Sequence, residues 1–301
     1  MFEHILVPLD GSGLAEAAIP PAAALSRKLG SEVTLLHVIE KNAPPEIHGQ
    51  RHLTAEEDAR RYLKEIAEGH FFDPSVQVNT HVHAEEQSQV ARSIVEHSHE
   101  FKPDLIILCA HGAGGLRDFV VGSIPQQVIS AGTVPVLLLQ PETGTEYQSL
   151  EFKRLLVALD GESDHDYSLV VAGELARKIE AELHLIRVVP TLSTLNAEDA
   201  ASGTLLPAAT NAMLEIAEDE ACEYLQEKVN ALTAAGIAAG AEVQRGDPAI
   251  EVVNAADRQE ADLILLATHG KKGMGALWAG SVAPQIVART HRPILLVPVA
   301  A

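Results

Sequence analysis

Short runs of large aliphatic residues alternate along the chain with longer stretches whose apolar positions recur every three or four residues. Ile5–Leu9, Val33–Ile39, Val76–Val82, Leu105–Leu108 and Val134–Leu139 form one series of strand candidates. Leu155–Leu159, Glu182–Val189, Ala241–Gln244, Leu263–Ala267 and Ile294–Val297 form a second. The aliphatics in these runs are continuous rather than alternating, so both faces of each strand are covered, as in a parallel sheet between helices. Leu14–Leu29, Thr54–Glu68, Ser88–Glu100 and Ile124–Ser130 carry the helical pattern between the first five strands. The order predicts an α/β fold of two tandem doubly wound domains with helices on both sheet faces.

The second series copies the first. HILVPLDGSG from His4 returns as RLLVALDGES from Arg154, an offset of 150 residues. PDLIILCAHG returns as ADLILLATHG at an offset of 158, so the second copy holds eight extra residues in its middle. They fall in Thr191–Thr210, read as a loop or short helix crossing a sheet edge ahead of a helix over Asn211–Ala235. The polar stretch Pro141–Phe152 lacks apolar periodicity and reads as a linker. The expected domains are residues 1–142 and 153–301, with 143–152 between them. A chain of 301 residues suits two such cores. The apolar edges Val134–Leu139 and Ile294–Val297 seek partners, which predicts a homodimer through the terminal strands or pairing of the two strands within one chain.

Charge narrows the function classes. Lys and Arg number 22 against 42 Asp and Glu, a formal charge of −20 that repels nucleic acid and anionic membrane surfaces. No apolar stretch has the roughly 18 residues of a membrane helix. The opening MFEHILVPLD enters a strand without the basic and apolar regions of a signal peptide, so a cytoplasmic location is expected. Cys109 and Cys222 lack metal or redox spacing and read as buried or half-buried thiols.

The chemistry sits in a repeated stretch. CAHGAGGLRDFVVGS, from Cys109 to Ser123, and ATHGKKGMGALWAGS, from Ala267 to Ser281, each follow the fourth strand of a half. In an open parallel sheet, ligands bind beyond the carboxyl ends of the strands, where the strand order reverses. His111-Gly112 and His269-Gly270 open that loop, and Gly122-Ser123 and Gly280-Ser281 stand at the next helix start. Free amides and the helix dipole there suit a phosphate. Asp10 and Asp160 end the first strands and bring a carboxylate to the same crevice. A glycine after a strand or a serine before a helix also serves ordinary turns and caps; recurrence of the whole spacing is what suggests a ligand.

The Asp-ended first strand, the stretch of Cys or Ala, x, His-Gly, nine residues and Gly-Ser, and the final Pro-Val/Ile-Leu-Leu strand resemble the universal stress protein family, in tandem over nearly the whole chain. The resemblance implies five-stranded parallel sheets in the order 3-2-1-4-5 that pair through their last strands. For one subgroup it also implies binding of ATP or AMP, with Mg as counter-ion. Carried onto this chain, the phosphate residues are Gly112, Gly122, Ser123, Gly270, Gly280 and Ser281, with His111, His269 and Ala267 in the same loops. Asp10 and Val38, and Asp160 and Val188, fall near adenine and ribose. It further implies a stress-response sensor or regulator that signals to another protein by changing shape. The chain departs from the nucleotide-binding pattern at Cys109 and Ala267, where that subgroup has its first glycine, and at Pro125 and Pro284, which each remove an amide. Lys271, Lys272 and the Arg245-Gly246-Asp247-Pro248 loop make the second half the better candidate. Glu162, Asp164 and Asp166 work against phosphates there unless they are solvated carboxylates at a helix start. Loss of nucleotide binding, leaving an interaction scaffold, is the alternative those departures raise.

Among 14 histidines, His81 and His83 lie two apart on a strand and share a face, a zinc candidate that Cys109 or His111 would complete. His97 and His99 lie two apart on a helix, face different ways and make no ligand pair. There is no nucleophile elbow and no Walker loop, so no catalytic residue is assigned; slow ATP hydrolysis is the most that His111 or His269 would support.

Overall fold

The computed structural model describes residues 1–43, 46–47, 50–51, 53–110, 123–140, 151–195, 201, 204–269 and 282–299. In the first half β1 (His4–Pro8), α1 (Gly13–Glu16), α2 (Ile19–Leu29) and β2 (Glu32–Glu40) are followed by a small hairpin, β3 (Glu46–Ile47) and β4 (Gln50–Arg51). Next come α3 (Glu56–His70), β5 (Val78–Gln87), α4 (Val90–Phe101), β6 (Leu105–Cys109), α5 (Ser123–Ala131) and β7 (Val136–Leu139). The second half runs β8 (Arg154–Ala158), a 3-10 turn (Ser163–Asp166), α6 (Tyr167–Ile179), β9 (Glu182–Val189), α7 (Pro207–Ala234) and β10 (Ala239–Arg245). It ends with α8 (Pro248–Arg258), β11 (Leu263–His269), α9 (Val282–Val287) and β12 (Ile294–Val299).

The ten long strands form one sheet in the order β10-β9-β8-β11-β12-β7-β6-β1-β2-β5. Each half contributes a parallel 3-2-1-4-5 set, and the halves meet where β12 and β7 pair antiparallel, Ile294 opposite Leu138, Leu295 opposite Leu137 and Leu296 opposite Val136. Terminal-strand pairing therefore takes its intramolecular form, and each edge that would have served a homodimer is covered by the other. The antiparallel junction also sets the strands of the two halves running in opposite directions. Their carboxyl ends, and with them the two candidate crevices, open at opposite ends of the sheet.

Side chains alternate across this junction, so it carries two cores. Leu137 and Leu295 belong to an apolar layer that also takes Leu35, Ile107, Val157 and Leu185 from both halves. Leu138 and Ile294 belong to the layer on the other face, with Leu6, Ile106, Ile186 and Ile264. The expectation of two separate cores gives way to one core per sheet face, each shared by both halves.

Local chemistry accounts for the departures from the sequence pattern. The helix expected over Leu14–Leu29 is two helices, because Pro20 and Pro21 lack the N–H a continuing helix needs and instead occupy the first turn of α2. Gly30 ends α2 at φ 69°, a left-handed conformation that glycine adopts without a Cβ penalty. The β5 strand runs five residues past the predicted end at Val82, to Gln87, with a register shift between the Val38 and Glu40 pairings. The β3-β4 hairpin leaves no apolar periodicity to read. Cys222 is exposed, against expectation, whereas Cys109 is buried with Sγ 3.9 Å from the Ala15 carbonyl.

Two outcomes follow. Leu138→Ala removes a fully buried side chain at the junction and is expected to cost about 2–5 kcal/mol, with both halves melting in one transition by calorimetry and far-UV circular dichroism. Burial, reinforced by the Asp10 carboxylate, pushes the Cys109 thiol up to about 12, so at pH 8 it stays protonated and poorly nucleophilic. Native protein is then expected to show one rapidly alkylated thiol, Cys222, and denatured protein two, by mass spectrometry.

Candidate functional site

At the carboxyl end of the first half, β1 lies between β2 and β6, with Pro8 opposite Leu36 and Leu6 opposite Ile106. Continued by two residues beyond Pro8, this register sets Asp10 level with Val38 on one side and Ala110 on the other. The strand order reverses here, because β2 and β6 leave β1 in opposite directions. In the second half β8 lies between β9 and β11, with Ala158 opposite both Ile186 and Leu266, which sets Asp160 level with Val188 and Thr268.

Each carboxylate is fixed by the turn that follows it. Asp10 Oδ1 accepts from the Ser12 amide at 2.8 Å and the Ser12 hydroxyl at 2.6 Å, and the same hydroxyl accepts from the Ala15 amide to cap α1. Asp160 Oδ1 accepts from the Glu162 amide at 3.0 Å, while Oδ2 pairs with Nδ1 of buried His165. The glycine between aspartate and turn is obligatory in both halves. Gly11 has φ 89° and Gly161 φ 88°, where a side chain is strained. A Cβ on Gly11 would also fall 2.8 Å from Leu53, and one on Gly161 2.5 Å from the guanidinium carbon of Arg187.

Those two neighbours make the halves chemically unlike. His37 and Arg187 occupy equivalent places on β2 and β9. His37 is buried, bonded to the backbone carbonyls of Leu9 and Leu53, and the Leu53 side chain covers Gly11. Arg187 instead brings a cation against Gly161 and over the ring of Tyr224, 5.4 Å from its centroid. Tyr224 on α7 donates to Asp166, which also pairs with Lys228 at 2.7 Å. The Asp166 carboxylate is therefore a neutralised partner of α7 rather than the solvated helix-start acid expected. The sequence reading missed Arg187, Tyr224 and Lys228. An arginine inside the aliphatic run HLIRVV was the available signal for the first, whereas α7 reaches the site only through tertiary packing.

The remaining predicted residues separate cleanly. Val38 is buried and Val188 half-buried, both on the layer of the sheet covered by α4 and α8. Ala267 is half-buried on β11. Cys109 belongs to the opposite layer, beneath α1, and so cannot join His81 and His83, which flank β2 residues of the α4 layer. His269 ends β11 and Ser123 starts α5, each described by its backbone alone; His111, Gly112, Gly122, Gly270, Gly280 and Ser281 lie outside the described residues. At the glycine-proline loop, Asp247 accepts from the Ile250 amide at 3.0 Å, so a carboxylate already occupies the start of α8. Two clefts among the described residues, one around Arg289–Pro293 and one around His184 and Gly240, sit at the amino ends of the second-half strands, away from its crevice.

No helix among the described residues is long and apolar enough to cross a membrane. The family model described as the universal stress protein family matches residues 1–140 and 151–298. A universal stress protein of Methanocaldococcus jannaschii is 29% identical over 149 residues, 48% of this chain and 82% of that protein. One of Thermus aquaticus is 32% identical over 147 residues, 48% of this chain and 98% of that protein. The crystal structure of a universal stress protein from Archaeoglobus fulgidus matches with a TM-score of 0.71 at 19% identity, covering 99% of both chains, a likeness of fold over the full tandem length. With the switch-point aspartates and both five-stranded sets in place, the chain belongs to the universal stress protein family and carries its domain twice.

Proposed function

We propose that this stress-response protein binds an adenine nucleotide, ATP or AMP, in the crevice of its second half, with Mg accompanying the polyphosphate. The supporting observation is the paired arrangement of Asp160 with Val188 at the point where strand order reverses, followed by a glycine that admits the Arg187 cation. A carboxylate there accepts from an adenine amino group or ribose hydroxyl, and the aliphatic Val188 offers the base a flat apolar wall. Arg187 and Lys228 lower the local negative potential that a chain of charge −20 otherwise presents to phosphates. Gly270, Gly280 and Ser281, with His269 and Ala267 in the same loop, are the proposed phosphate cradle. The first half, with Asp10, Val38, His111, Gly112, Gly122 and Ser123, is the weaker site, because Leu53 rather than a cation covers its glycine.

The proposed action is binding without turnover in the cytoplasm, with occupancy passed to a signalling protein through a change of shape. The opposed crevices share both cores, which gives a bound ligand a mechanical path to the other half. Leu53 over Gly11 also favours a second reading for the first half, as an interaction surface that no longer holds nucleotide.

Mass spectrometry of the denatured purified protein is expected to release adenine nucleotide, and calorimetry with Mg-ATP to show one strong site per chain. Asp160→Ala is expected to weaken that site about ten-fold or more, the worth of a charge-assisted hydrogen bond, and Asp10→Ala to leave it unchanged. A chain that carries no nucleotide and gives no heat rejects the reading.

A further inference from the structure

At the outer edge of the first half, His81 and His83 of β5 meet His97 of α4. One donor nitrogen from each ring lies within 4.8 Å of the others. His83 Nδ1 is 3.0 Å from His97 Nε2, and the ring centroids of His81 and His97 are 4.7 Å apart. Sequence spacing placed the first two on one face; the third comes from the helix packed over that face, and His99, two residues on, is exposed.

The surroundings aim the rings. Phe101 stacks on His97 at 5.2 Å, one turn along the helix, and Glu100 accepts from His97 Nδ1 at 3.0 Å. A carboxylate on Nδ1 leaves Nε2 as the basic nitrogen and raises its donor strength, the arrangement that orients metal-bound histidines. His97 is buried, and His81 and His83 are half-buried beside it. We infer that His81, His83 and His97 form a binding site for a divalent first-row cation such as zinc, with Glu100 as the positioning carboxylate. Zinc–nitrogen bonds of about 2.0–2.1 Å require donor nitrogens roughly 3.3 Å apart in a tetrahedron. The His83–His97 pair opens slightly to meet that spacing, the widest pair closes, and one coordination position is left for water. Without metal, His83 donates from Nδ1 to His97 and Gln87 bonds to its Nε2 at 2.8 Å. With metal, the His83 proton resides on Nε2 and the Gln87 amide turns its carbonyl to accept it.

The second half explains what such an ion would do. Register places Glu242 and Gln244 where the first half has His81 and His83, since they lie opposite Ile186 and Val188 as the histidines lie opposite Leu36 and Val38. The 158-residue offset puts Ala255 at the place of His97 and Arg258 at that of Glu100. There the edge strand is tied to its helix by Arg258 donating to Glu242 at 2.9 Å. Burial opposes ionisation of Glu242, yet Gln244 and Arg258 outweigh it and hold the carboxyl below its usual range. The same strand-to-helix link is an ion pair in one half and, by this inference, a metal clamp in the other.

Zinc titration of untagged, chelator-stripped protein without nucleotide is the test, followed by calorimetry and by elemental analysis after dialysis. One zinc per chain is expected, with a raised melting temperature. H81Q and H83Q are expected to abolish this binding, exposed E100Q to weaken it by about 10- to 100-fold, and H99Q to leave it intact. Failure of the native chain to retain zinc, or retention by both H81Q and H83Q, overturns the site. E100Q guards against variants that merely unfold, since its side chain is largely in solvent, and a native affinity in that variant removes the positioning role.

Discussion

Three backbone registers between β7 and β12 hold the molecule in one piece. Main-chain hydrogen bonds join the two sheets there, and alternation of side chains carries an apolar layer across the join on each face. Neither half closes its fifth-strand edge alone. The opposite openings of the two crevices and their common cores depend on this junction being antiparallel.

Duplication has produced matching scaffolds with unequal chemistry. The aspartate, the left-handed glycine and the valine on the next strand recur in both halves. What faces the glycine does not: Leu53 in one half, the Arg187 guanidinium in the other. The edge strands diverge in the same way, with imidazoles against a half-buried carboxylate.

The fold was largely legible because continuous aliphatic runs admit few interpretations, and because the repeat supplied each half with a second reading. Helix boundaries were lost where Pro20 and Pro21 broke a good apolar period, and the β3-β4 hairpin had no period to show. Residues of the candidate site were legible when they followed directly on a strand, as Asp10 and Asp160 do. Partners delivered from elsewhere were not: Tyr224 and Lys228 arrive on α7 from some sixty residues away, and His97 arrives on α4. Spacing along one element shows which side chains share a face, but which helix lies over that face is settled only by packing.

Joining the halves leaves the assembled sheet with just two outer strands, β5 and β10, one at each extremity. Exposed strand edges invite further strands and hence runaway polymerisation. Here β5 bends at its register shift beside Glu85, and β10 is lined by Glu242, Gln244 and Arg245. Aggregation resistance is thereby concentrated in a handful of polar side chains, and a tandem protein needs to guard only as many borders as a single domain would.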